Sequence, residues 1–210
     1  ATVLTVTNGT LENTDVLIRD GKISKIGQDL RAPNGVKEYD ATGKFVMPGI
    51  IDAHSHIALD AINEATSPVT AEVFTGDALD PLDISIYQAL AGGVTTSHAM
   101  HGSANAIGGQ CETIKHRYGT TDPEVLKMEG APRTIKFALG ENPTRVHGSG
   151  NNIVPRTRMG VEAIFRRSFS EAQEYMKSWD NYNANKDKKG FNGIAPEYNL
   201  RMETLGDILR

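Results

Sequence analysis

Gly49-Ile50-Ile51-Asp52-Ala53-His54-Ser55-His56 is the stretch on which the reading of this chain turns. Gly-Ile-Ile-Asp-Ala reads as a buried strand, and the two histidines close it. Residues i and i+2 of a strand project to the same face. His54 and His56 can therefore present two imidazoles together, and neutral imidazole is the commonest nitrogen ligand for zinc and similar metals. At the C-terminal end of a strand, the pair occupies the position where α/β barrels carry out chemistry.

The surrounding pattern sets the fold class. Residues 1–48 read as short strands with turn signals: Val3–Thr7 before Asn8-Gly9, Asp15–Arg19 before Asp20-Gly21, Lys22–Ile26 before Gly27, then Val36–Asp40 and Lys44–Met47. This spacing suggests a small β-sandwich piece. After Pro48 the texture alternates. Helical spacing is expected over Pro81–Leu90, a strand over Val94–Met100, and a short strand over Cys111–Lys115. A short helix from Asp122 and a strand over Arg133–Leu139 follow. The longest helix is expected over Gly160–Tyr182, and another begins at Asn199. Alternating strands and helices imply an α/β fold with a parallel sheet.

Composition narrows the function classes. The 210 residues carry 22 Lys+Arg against 26 Asp+Glu, for a net charge of -4. There is no basic block of the kind nucleic-acid binders carry. No apolar run reaches the roughly 20 residues of a membrane helix. A single cysteine, Cys111, excludes an internal disulfide framework and a cysteine-cluster metal site. No signal peptide is visible, and the lone cysteine suits the cytosol or a bacterial periplasm equally.

Motifs spread over most of the chain carry a family resemblance. Gly43-Lys-Phe-Val-Met-Pro-Gly-Ile-Ile-Asp-Ala-His-Ser-His56 resembles the opening barrel strand of the metal-dependent amidohydrolase superfamily. Asp20–Gly27 resembles the hairpin of that superfamily's β-sandwich subdomain, and Gly93-Val-Thr-Thr96 its second barrel strand. Gly102-Ser-Ala-Asn105, Gly108-Gly-Gln110 and Lys136-Phe-Ala-Leu-Gly-Glu-Asn-Pro143 are similar to the imidazolonepropionase-like branch.

The resemblance implies a (β/α)₈ barrel holding one or two divalent metals, zinc first among them. A metal-activated water would attack a C–N bond of a small molecule: an amide, a cyclic amide or a peptide. His54 and His56 match the first ligand pair. The bridging ligand would be Lys136, carboxylated on its amine, or Glu141; Lys136 is slightly preferred because an inward lysine in an apolar strand is costly unless paired or modified. His98 and Arg145 are candidates for substrate contact, Arg145 as a bidentate partner for a carboxylate. His98 and His101 read by default as satisfied loop or core histidines, His116 and His147 as surface residues, Cys111 as a buried small hydrophobe, and Gly108-Gly109-Gln110 as a turn.

Length adds a further expectation. A (β/α)₈ barrel takes about 250 residues, and residues 49–210 fall well short of that. The chain is expected to comprise part of a β-sandwich subdomain (1–48) and the first four strands of the barrel (49–210). Two more histidines and a general-base Asp, implied by the resemblance, would come from a complementary C-terminal polypeptide, and the complete enzyme would form a homo-oligomer. The alternative is a non-catalytic binding or assembly protein on the same fold.

Overall fold

In the computed structural model, which describes residues 1–150 and 152–210, the chain divides into two compact units, Ala1–Ile50 and Ile51–Arg210. The first unit is all β. Strand β1 (Thr2–Leu4) lies between β2 (Thr10–Leu11), antiparallel to it, and β5 (Phe45–Val46), parallel to it. Strands β3 (Asp15–Arg19) and β4 (Lys22–Gly27) form a separate antiparallel hairpin. Its turn puts Asp20 and Gly21 at positive φ, as a two-residue Asp-Gly hairpin loop requires. Residues 36–40, expected as a strand, form none.

The second unit is built on a four-stranded sheet in the order β6-β7-β8-β9: Ile50–Ser55, Val94–Ala99, Ile107–Lys115 and Thr134–Phe137. Here the expectation of a parallel sheet needs correction. β7 and β8 pair antiparallel, as do β8 and β9. The reason lies in the connection. Only residues 100–106 join β7 to β8, whereas a parallel crossover needs about a dozen residues or more. The expected third strand also starts earlier than Cys111. Gly108 and Gly109, expected as a turn, lie inside β8, where a register shift falls between Ile107 and Gln110.

Helices cover one face of this sheet. α1 (Ile84–Ala91) starts at Asp83, whose carboxylate accepts from the Ser85 N–H at 2.8 Å and from the Ala58 N–H at 2.7 Å. Buried Ile86 packs with Ala58, Leu79, Ala99, Ile114 and Leu126. After β9 comes a single turn, α2 (Glu141–Pro143), which continues as a π-helical turn over Thr144–Gly150. α3 (Arg158–Asn185) and α4 (Leu200–Leu209) follow, N-capped by Thr157 and Asn199. The expected helix at Asp122 is a 3₁₀ turn, Pro123–Leu126.

The main core joins α3 and α4 to the sheet. Val161, Ile164, Ala172 and Leu205 pack against Val69, Ala71, Ala106 and Ile107. Ile135 and Phe137 of β9 extend this core, and the Phe137 ring sits 5.7 Å from that of Phe165. Because side chains alternate along a strand, Thr134 and Lys136 face the other way. That opposite face carries the chemistry.

Two glycines of β8 set the local packing. A Cβ at Gly108 would stand 2.7 Å from Nδ1 of His101, and one at Gly109 2.9 Å from the Val73 carbonyl oxygen. The Gly-Gly pair thus makes room for a buried imidazole rather than for a ligand. Gly109→Ala is expected to lower stability by about 1–3 kcal/mol, the usual range for overpacking, as measured by urea denaturation. An unchanged midpoint would contradict this packing.

Candidate metal centre at the strand ends

His54 and Lys136 come from the two edges of the four-stranded sheet, yet Nζ of Lys136 lies 3.3 Å from Nε2 of His54. In a flat sheet these side chains would stand parallel, about 14 Å apart at three strand spacings. The sheet therefore curls, bringing β6 and β9 together on its concave side. Lys136 is buried, with 7% of its surface exposed, although it projects from an otherwise apolar strand.

His56 follows β6 directly. Its Nδ1 lies 2.8 Å from the Met100 carbonyl oxygen. A carbonyl only accepts, so Nδ1 carries the proton and Nε2 keeps its lone pair free. A backbone carbonyl behind a histidine is the usual support for a metal-ligating imidazole. The His54 and His56 rings stand edge to face with centroids 5.3 Å apart. The His54 imidazole is held below its ordinary pKa, first by the Lys136 ammonium, then by desolvation and by His56, with Asp52 opposing. It is thus biased toward the neutral form that binds metal.

These two nitrogens suit a divalent ion of the zinc type, but they begin a ligand set without completing it. Among the described residues no group of three or more His, Cys, Asp or Glu side chains could hold a metal ion.

The other candidates fall in different places. His98 shares the concave face, and its Nε2 bonds Oγ1 of Thr134 at 2.7 Å, linking β7 to β9 across β8. Glu141 is brought to Arg145 instead of to the histidines. The two form an exposed ion pair at 3.3 Å, with side-chain exposures of 71% and 73%.

The remaining histidines are structural. His101 is buried, takes a hydrogen bond from the Glu64 N–H at 2.9 Å, and donates from Nδ1 to the Gly102 carbonyl at 2.9 Å. Burial lowers its pKa. The expectation that His116 and His147 are surface residues is wrong. His116 is buried and bridges the Val94 carbonyl and the Ser97 hydroxyl, both at 2.9 Å. His147 is fully buried in the π-helical turn, and neither ring nitrogen has a partner among the described residues. Cys111 is buried, as expected of a small hydrophobe, and burial pushes its thiol pKa up.

Sequence reasoning passed over Thr134, Asn63 and Asn105. The Asn105 amide nitrogen ties the loop after β6 through the carbonyls of Glu64 and Ser67, at 2.7 and 2.6 Å. Its place in Gly102-Ser-Ala-Asn105 was the only sequence signal available.

Comparison with known proteins fits this geometry. No family model matches the chain. A crystal structure of an amidohydrolase from Thermotoga maritima MSB8 superposes with a TM-score of 0.85 at 39% identity, over 100% of this chain and 54% of that one. The chain belongs to the amidohydrolase superfamily. The amidohydrolase tasK of Hapsidospora irregularis is 37% identical over 93% of this chain and 22% of its own length. A dihydroorotase of Lactobacillus acidophilus is 55% identical over 49 residues, 23% of this chain and 11% of that protein. This superfamily member thus spans about half of its solved relative and about a fifth of tasK. Among the described residues no helix is long and apolar enough to cross a membrane.

The electrostatics give a direct test on metal-free protein. Lys136→Met removes the largest influence depressing His54, so the His54 pKa should rise toward the ordinary imidazole value. NMR titration of the His54 ring proton reads this. An unchanged or lowered pKa would show that Lys136 does not act on His54.

Proposed function

We propose that the chain supplies the first metal ligands of a hydrolase that cleaves C–N bonds of a small molecule. The observation that carries this reading is the convergence of His54, His56 and Lys136 on one concave face, with Nζ of Lys136 at 3.3 Å from Nε2 of His54. When bound, a divalent cation lowers the pKa of water enough to yield a nucleophile at neutral pH. His54 and His56 would hold the ion, and Nε2 is the nitrogen His56 leaves free for it. The Met100 carbonyl fixes the tautomer and tilt of His56.

Lys136 is the better bridging candidate. It lies beside His54, whereas Glu141 is engaged by Arg145 in an exposed pair. Carboxylation of the Lys136 amine by carbon dioxide would replace a buried cation with an anionic oxygen donor at the same place, removing the repulsion with His54. His98, held by Thr134, and Arg145 are the candidates for substrate contact.

On this reading the fold is the first four strands of an amidohydrolase barrel with part of its β-sandwich subdomain. The unit boundary near residue 50 supports that division. Further ligands and the general-base Asp would come from polypeptide outside these 210 residues. That is consistent with a chain spanning 54% of the Thermotoga structure.

Metal content measured by inductively coupled plasma mass spectrometry tests the reading. His54→Ala and His56→Ala should each weaken zinc binding at least as much as the roughly 10–100-fold that loss of a supporting partner costs. Full retention of metal by the double variant would overturn the assignment. It would leave a binding or assembly role as the better account.

A further inference from the structure

His98 is held in a way that strand pairing alone does not supply. It sits on β7 and Thr134 on β9, with β8 between them. Two strand spacings separate their backbones by about 10 Å, yet Nε2 of His98 lies 2.7 Å from Oγ1 of Thr134. The imidazole therefore lies across β8, on the concave face that carries Lys136. His98 also stands among the groups that lower the His54 pKa, behind Lys136, desolvation and His56.

The direction of the bond follows from what stands behind Thr134. Thr134 pairs in register with Cys111 of β8, so both side chains share one face. Sγ of Cys111 lies 3.6 Å from the Gly109 carbonyl oxygen. A carbonyl only accepts, so the thiol proton points there and the sulfur is left as an acceptor. Burial raises the Cys111 thiol pKa, and the His101 backbone N–H, the Lys136 ammonium and the Thr134 hydroxyl act against it. The Thr134 hydroxyl thus donates toward the sulfur. It has one proton, so toward His98 its oxygen accepts. Nε2 of His98 then carries the proton, and Nδ1 keeps its lone pair. A threonine suits this task because a β-branched side chain is stiff at χ1, which fixes the aim of the hydroxyl.

We infer that Thr134 is a positioning residue: it fixes the tautomer and orientation of His98, so that His98 meets the reacting molecule as a hydrogen-bond acceptor. The inference rests on the hydrolase reading above and adds to it the polarity of the His98 contact. The group that lies against Nδ1 brings an N–H or O–H. A secondary amide supplies such an N–H beside the bond to be cut, and a tertiary amide does not. His56 and His98 are then set by the same device, a backbone carbonyl, used directly at Met100 and through Cys111 and Thr134 at Gly109. They differ in the nitrogen left free, Nε2 in His56 and Nδ1 in His98.

The test is NMR on metal-free protein labelled with ¹⁵N-histidine, at a pH about two units above the ordinary imidazole pKa. The His98 signals are assigned by their loss in His98→Gln. Wild-type protein should show an Nε2–H proton protected from exchange with water, and an unprotonated Nδ1. Thr134→Val, matched in shape but without the hydroxyl, should lose the Nε2–H signal to exchange. Its Nδ1 shift should move toward the average of the two tautomers. Thr134→Ser should restore both. A role for Thr134 in packing alone would leave the tautomer where it was.

A protonated Nδ1 in the wild type, an unchanged signal in Thr134→Val, or Thr134→Ser behaving as Thr134→Val would each overturn the inference. Zinc content separates positioning from ligation. Thr134→Val should hold as much zinc as the wild type, and a loss would place His98 among the ligands and overturn the inference. The failure modes stay separate from those of the hydrolase reading. A wild-type chain with the expected tautomer but no zinc removes the hydrolase and leaves the positioning role. A zinc-loaded chain with a protonated Nδ1 does the reverse.

Discussion

The contact between Nζ of Lys136 and Nε2 of His54, at 3.3 Å, is the constraint around which the second unit is organised. It joins opposite edges of one four-stranded sheet, so it exists only because the sheet curls. The curl is held from outside. Ile135 and Phe137 of β9 are anchored on Phe165 and Phe169 of α3, which turns the alternate residues, Thr134 and Lys136, inward. Burying a lysine is unfavourable without a partner or modification. The chain accepts this at one position, where the neighbour is a histidine already biased toward its neutral, ligand form.

Six histidines divide into distinct roles by what stands behind them. His56 has one nitrogen tied to the Met100 carbonyl and the other free. His101 and His116 have both nitrogens engaged: His101 ties the loop after β7 to the loop after β6, and His116 ties the end of β8 to β7. His101 also explains the Gly108-Gly109 pair, whose missing side chains provide its space. The same residue type thus acts as candidate ligand or as structural peg. Hydrogen-bond partners decide which, and sequence spacing alone does not report them.

Much of the architecture was legible because its signals are local. Asp20-Gly21 marks a hairpin, Asp83 and Asn199 mark helix starts, and β-branched runs mark β6, β7 and β9. The paired placement of His54 and His56 follows from strand alternation. Sheet direction was misread because it depends on the seven-residue link 100–106, which is too short for a crossover. The burial of His116 and His147 was missed because isolated histidines carry no pattern. The exposed Glu141–Arg145 pair was equally invisible: four residues apart in a helical turn, the two neutralise one another instead of turning inward. Superfamily membership was legible in the Gly43–His56 motif and its companions, and the comparisons bear it out.

A pair of imidazoles backed by a buried lysine stands at the strand ends of the second unit. On the proposed reading, the concave face of the curled sheet holds a divalent metal. Anomalous diffraction at the zinc edge, from crystals grown with zinc, tests it most directly. A peak bound by Nε2 of His54 and Nε2 of His56, beside Lys136, is expected. A fully occupied zinc elsewhere on the chain, with both imidazoles bare, would contradict it.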